Sequence, residues 1–136
     1  MHVPSITAGY LAVLALLYAV LSVQVVRLRR KNRAAFSDGG SVELRSAIRA
    51  HAHFAEYVPI TALMVAILEM SGAAALSIHL LMGALLLARL LHPLGMYAKS
   101  NTLQFRIGRV GGTTITIILL AVCAGAILSR TFGPAS

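Results

Sequence analysis

The chain has 136 residues, 58% hydrophobic and 12% charged, with a formal net charge of +8 and a mean hydropathy of +0.82. Soluble domains carry about 25% charged residues, so this composition excludes one and points to an all-α integral membrane protein. Topology and anionic headgroups account for the positive balance, which leaves no role for nucleic acid as a partner.

The first apolar stretch, about 5–26, contains no ionisable side chain. At ~1.5 Å per residue it matches a hydrocarbon core of about 30 Å. Met1-His2-Val3-Pro4 lacks the basic start of a secretion signal, and a basic cluster stands where a cleavage site would be. The stretch is therefore expected to remain as a spanning helix. Arg27-Leu28-Arg29-Arg30-Lys31-Asn32-Arg33 closes it as a topogenic cluster. Asp38-Gly39-Gly40 predicts a turn, and Ser41 an N-cap for the next helix. That helix is expected from near Val42 to Ser71, with 52–71 in the membrane and a kink at Pro59. Glu69, at its far end, reads as an interfacial residue, as does His79 in the third stretch. The third span covers 74–97. A short basic connection, Lys99 to Gly108, leads to the fourth span at 109–129, where Gly108, Gly111 and Gly112 allow helices to approach closely. Tyr10 and Tyr18 read as lipid- or subunit-facing aromatics, and Cys123 as an apolar packing residue. The whole chain, 1–136, forms one four-transmembrane-helix bundle.

Basic residues lie between the first and second stretches and between the third and fourth, whereas Met70 to Ala75 has none. This asymmetry places the first and third loops in the cytoplasm and both termini outside. Ionisable residues inside a span are expensive and usually mark a functional site. On a helix advancing about 100° per residue, Arg49, His53 and Glu56 fall within roughly 60° of one another. Arg45 extends this stripe by a turn, and Tyr57 flanks it. On the third span Arg89, His92 and Met96 share a face, with Tyr97 beside them. Arg89 lies well inside the membrane and needs a partner. Glu56 is the acidic residue at comparable depth, so an Arg89–Glu56 pair is expected, within one chain or between subunits. The cationic end suits a small anionic ligand that also carries an amine: arginine forks would take carboxylates, and Glu56 an ammonium. A thiol near Arg109 would have its thiolate favoured. His51 and His53 point about 200° apart on a helix, and no other ligand set supports a metal, so no metal site is expected.

Arg49-Ala50-x-x-His53-x-x-Glu56-Tyr57-x-Pro59 resembles the signature of the MAPEG family (membrane-associated proteins in eicosanoid and glutathione metabolism), commonly Arg-Ala-x-x-Asn-x-x-Glu-Tyr-x-Pro. Gln24-Val25-Val26 followed by Arg29-Arg30 is similar to the end of that family's first helix, and the resemblance covers nearly the whole chain. The sequence departs from the pattern twice. His53 replaces the asparagine, and His92 a tyrosine of the eicosanoid-synthesising members.

The resemblance implies a bacterial-type member in the inner membrane, assembled as a homotrimer with sites between subunits that open to the cytoplasm. It implies glutathione as co-substrate, contacted by Arg49, His53, Glu56 and Tyr57, with Arg89, His92 and Tyr97 at the third-helix positions and Arg29 as a first-helix contact. Arg109, or Arg106 one turn earlier, would stabilise the thiolate. The expected activity is a glutathione transferase or peroxidase acting on a lipophilic substrate from the bilayer. The alternative is a non-catalytic lipid-binding or scaffold member of the same fold. A small four-helix exporter would need an acid in the first span, which has none.

Overall fold

The structure is a computed structural model that describes residues 3–98 and 102–132; Lys99, counted in the basic third connection, lies outside them. All regular structure among these residues is helical. Four helices are each long and apolar enough to cross a membrane: α1 (Ser5–Lys31), α2 (Val42–Met70), α3 (Ala75–Met96) and α4 (Leu103–Phe132). α1 runs on through the basic cluster to Lys31, beyond the membrane stretch read from hydropathy. α4 starts more than a turn before Arg109, because Thr102 caps it: its side chain accepts from the Phe105 amide.

The turn chemistry before α2 follows the expectation. Asp38 accepts from the Gly40 amide at 2.9 Å, Gly39 and Gly40 adopt φ of +55° and +79°, and Ser41 accepts from Leu44 N. Positive φ is where glycine carries no steric cost, so the loop can reverse within a few residues. Arg45 closes it by bonding to Asp38.

α1 packs on α2 and α3, and α4 packs on α2 and α3 from the other side; among the described residues α1 and α4 do not meet. The core is built by Leu14 and Leu21 of α1, Phe54, Val58 and Val65 of α2, Ile78, Met82 and Leu85 of α3, and Leu119 and Cys123 of α4. Cys123 is buried, as a packing residue should be.

The end away from the basic loops holds a contact that sequence reading did not anticipate. Glu69 of α2 accepts hydrogen bonds from the Ile6 and Thr7 amides, both at 2.9 Å, and from the Thr7 hydroxyl at 2.6 Å. The first amides of a helix have no intrahelical partner, and α1 follows Pro4, which supplies no side-chain cap. Glu69 therefore caps α1 across the bundle and does more than sit at an interface. The two first-span tyrosines are also engaged inside the chain. Tyr10 hydroxyl meets His79 Nδ1 at 3.3 Å, and Tyr18 stacks on His51 with ring centroids 4.6 Å apart.

Candidate functional site

At the opposite end, α2, α3 and α4 bring imidazoles and guanidinia together. Arg49 and His53 are one helical turn apart, and Arg49 Nη2 lies 3.1 Å from His53 Nε2. A guanidinium can only donate, so Nε2 accepts and the neutral ring carries its proton on Nδ1. That Nδ1 is buried and has no hydrogen-bond partner. The His53 ring stacks on His92 of α3, with centroids 5.1 Å apart and planes at 24°, and lies 5.9 Å from the Tyr57 ring.

His92 is 1% exposed. Neither ring nitrogen makes a hydrogen bond of normal geometry, although the Gly108 backbone is close by. Arg89, one turn earlier on α3, is also 1% exposed. Its Nη2 donates to the Gly112 carbonyl at 3.1 Å and to the Thr116 hydroxyl, and its Nη1 reaches the His53 carbonyl at 3.5 Å. Its Nε is unpartnered. All three acceptors are neutral, so this buried cation has no acid beside it.

The expected Arg89–Glu56 pair is therefore absent within the chain. Glu56 is exposed, and it makes no hydrogen bond or ion pair among the described residues. Close packing of α3 and α4 explains the difference. A Cβ on Gly112 would lie 3.0 Å from the Ala88 carbonyl and 3.3 Å from the His92 Cβ. With the two backbones this near, the α4 carbonyl and the Thr116 hydroxyl capture the guanidinium before any carboxylate on α2 can.

The same proximity shapes the segment that carries the two candidate thiol-activating arginines. Arg106–Gly111 is π-helical, a widened geometry frequent at functional sites. It packs where Gly95 of α3 and Gly108 of α4 touch through their backbones. A Cβ on Gly108 would sit 2.6 Å from the Gly95 Cα and 2.7 Å from the Leu91 carbonyl. Arg109 and Arg106 are both exposed at this surface. The Arg109 guanidinium lies over the Phe105 ring at 5.3 Å, and it is within electrostatic reach of both His53 and His92.

Three candidates fall elsewhere within the single chain. Arg29 turns into the first loop and donates to the carbonyls of Ala35 at 3.3 Å and Ser37 at 3.0 Å, where it holds the loop shut. Arg45 leaves the Arg49 stripe for Asp38. Tyr97, just past the end of α3, accepts from Gln24 Nε2 of α1 at 2.7 Å and is 42% exposed. Sequence reasoning missed Gly112 and Thr116 as partners of Arg89. Their signal was a glycine followed one turn later by a threonine on the helix facing a buried arginine.

The fold and site together define an all-helical membrane protein with an imidazole- and arginine-lined site at one end of its bundle. The chain belongs to the MAPEG family, whose sequence profile matches residues 7–129. It is similar to the inner membrane protein YecN of Escherichia coli K12, 39% identical over 120 residues that cover 88% of each chain. YecN from E. coli O6:H1 strain CFT073 matches at the same level. No solved structure matches the chain.

Proposed function

We propose that this protein is a membrane-embedded glutathione-dependent transferase or peroxidase. The observation that carries this reading is the Arg49–His53–His92–Arg89 cluster, which leaves buried donors and acceptors unpartnered beside the exposed Arg109. Such a set fits a ligand that brings carboxylates and a thiol. The exposed guanidinia of Arg49 and Arg109 offer carboxylate forks, and Glu56, exposed and without a hydrogen bond or ion pair among the described residues, is available to an ammonium. Arg109 is the favoured thiolate-stabilising residue over Arg106, because its guanidinium is held over the Phe105 ring at the exposed edge of this end and its charge is felt at both imidazoles.

In conjugation the thiolate sulfur donates an electron pair to form the new bond to carbon, while a bond at that electrophile breaks: its pair leaves with a leaving group, or stays on an opened or conjugated acceptor that takes up a proton. In peroxide reduction two thiols are oxidised to a disulfide while the O–O bond breaks to an alcohol and water. Positioning and charge stabilisation would supply the catalysis, without a covalent protein intermediate. Because α1 does not reach α4 inside one chain, an α1 contact such as Arg29 would have to come from a neighbouring copy. This agrees with a trimer that shares its sites. The site end carries the basic loops, and so would face the cytoplasm of an inner membrane with both termini outside.

The test is titration of the detergent-solubilised protein with glutathione, followed by thiolate ultraviolet absorbance, alongside Arg49→Ala, Arg106→Ala and Arg109→Ala. A saturable signal abolished by Arg109→Ala and retained by Arg106→Ala is expected. No binding at millimolar glutathione would refute the enzyme and leave a non-catalytic lipid-binding member of the fold.

A further inference from the structure

The stacked imidazoles leave hydrogen-bond donors that no group among the described residues takes up. Arg49 occupies Nε2 of His53, so the ring proton sits on Nδ1, and that nitrogen is buried without a partner. His92, 1% exposed, has both ring nitrogens unpartnered, and a neutral ring carries its proton on one of them. An imidazole N–H lies in the plane of its ring. With planes at 24° and centroids 5.1 Å apart, the two rings present their edges sideways and cannot bond to each other. The charged side chains of α2, α3 and α4 around them supply no acceptor either. Arg49, Arg89 and Arg109 can only donate, and Glu56 is exposed and makes no hydrogen bond among the described residues. Buried donors without acceptors are rare and costly in folded proteins, so two on facing rings call for an acceptor that a ligand brings.

On the reading of the protein as a glutathione enzyme, on which this inference rests, the thiolate lies at Arg109, whose charge is felt at both imidazoles. An electrophile attacked there lies beside the pair. We propose that His53 and His92 donate to the oxygen of an α,β-unsaturated aldehyde or ketone, and that they select such conjugated carbonyl compounds over electrophiles that expel a halide. The sulfur bonds to the β-carbon, the C=C π pair moves toward the carbonyl, and the oxygen carries the charge of the resulting enolate. Solvent then protonates the carbon beside the carbonyl. Neutral imidazole polarises a carbonyl in this way in other enzymes. Fixed donors aimed at developing charge in a water-poor site act without reorganising. They hold charge without giving up a proton. That fits a delocalised enolate better than the alkoxide expelled from a peroxide, which takes a proton as it leaves.

The test compares cinnamaldehyde with cinnamyl chloride, which share a carbon skeleton, as electrophiles for glutathione and the full-length protein in detergent. In the first the electron pair ends on oxygen, and in the second it leaves with chloride. His92→Phe and His53→Phe each keep a stacked ring and delete the donor. Each should lower the aldehyde-to-chloride ratio of kcat/KM about a hundredfold, the usual effect of losing one fixed oxyanion donor. Looser glutathione binding lowers both rates and cancels in the ratio. His53→Asn, whose amide can accept from Arg49 and still donate, should recover most of the ratio. A wild type that turns over both electrophiles while neither phenylalanine variant shifts the ratio overturns the proposal. So does a wild type that uses the chloride and leaves the aldehyde untouched, or a His53→Asn ratio as low as that of His53→Phe. Turnover of neither electrophile removes the glutathione reading itself, and this inference falls with it.

Discussion

Replacement of Arg89 by methionine separates two accounts of its burial. In the structure its favourable contacts are two good hydrogen bonds, to the Gly112 carbonyl and the Thr116 hydroxyl, with the His53 carbonyl at the limit of range. Hydrogen bonds from a charged donor contribute about 1.5–3 kcal/mol each, so their loss removes roughly 3–6 kcal/mol. Against this, burial of a lone cation costs several kcal/mol, which methionine relieves while keeping most of the volume. The Gly112 carbonyl is not orphaned, since Thr116 donates to it at 2.8 Å. Arg89→Met should therefore melt within about 2 kcal/mol of the wild type in detergent. Had Arg89 been paired with a buried acid, removal of one partner would cost about 3–5 kcal/mol. A double-mutant cycle with Glu56→Gln makes the distinction directly. The geometry predicts coupling below about 0.5 kcal/mol. Coupling above about 1 kcal/mol would mean that Glu56 reaches the guanidinium, from this chain or a neighbouring copy, and the argument from neutral acceptors would be refuted.

Glu69→Gln should destabilise the start of α1 by about 2 kcal/mol, since an amide can accept from Ile6 and Thr7 only weakly through one oxygen. Faster amide exchange confined to the first turn of α1 is the measurement. Gly108→Ala should be far more damaging than its size suggests, because the added carbon overlaps the Gly95 backbone. A loss of about 3 kcal/mol or failure to assemble is expected in thermal melts, whereas Gly125→Ala, which meets nothing, should be near neutral. The Asp38 turn should be acid-sensitive. The hydrogen bond from Arg45, supported by the Gly40 amide, holds the Asp38 carboxyl below its ordinary value. A depressed folded-state pKa contributes stability that is present above the unfolded value near 3.9, and loses it as pH falls through the folded value. Proteolysis in the loop should therefore rise below about pH 4 in the wild type, and Asp38→Asn should flatten that dependence.

The helices, the capping of α2 by Ser41 and the Arg49–His53 contact were legible because each depends on local spacing. Turn residues act over a few positions, and an i, i+4 pair is neighbourly whatever else the helix touches. What a second helix would present was not legible in the same way. Arg89 was rightly judged to need partners, but their identity depended on how near α4 could come, and that was decided by Gly95, Gly108 and Gly112 lying in register across the contact. The π-helical turn has no marker of its own in the chain, yet it carries both candidate arginines, Arg106 and Arg109. Glu69 shows the same limit at the other end of the bundle: nothing local says that its carboxylate will cap a helix more than sixty residues earlier.

The separation of α1 from α4 bears most directly on function. Arg29, expected among the ligand contacts, is occupied by its own loop, and its helix never meets the one that carries Arg109. A complete ligand shell assembled from both helices therefore requires two copies. Arg29→Gln would then act twice, loosening the loop at Ala35 and Ser37 in every chain and weakening a site in the neighbour. Loop exchange reports the first effect, and the glutathione titration the second. If loop exchange rises while thiolate formation stays unchanged, α1 contributes nothing to the site, and the cluster on α2, α3 and α4 must bind its ligand alone.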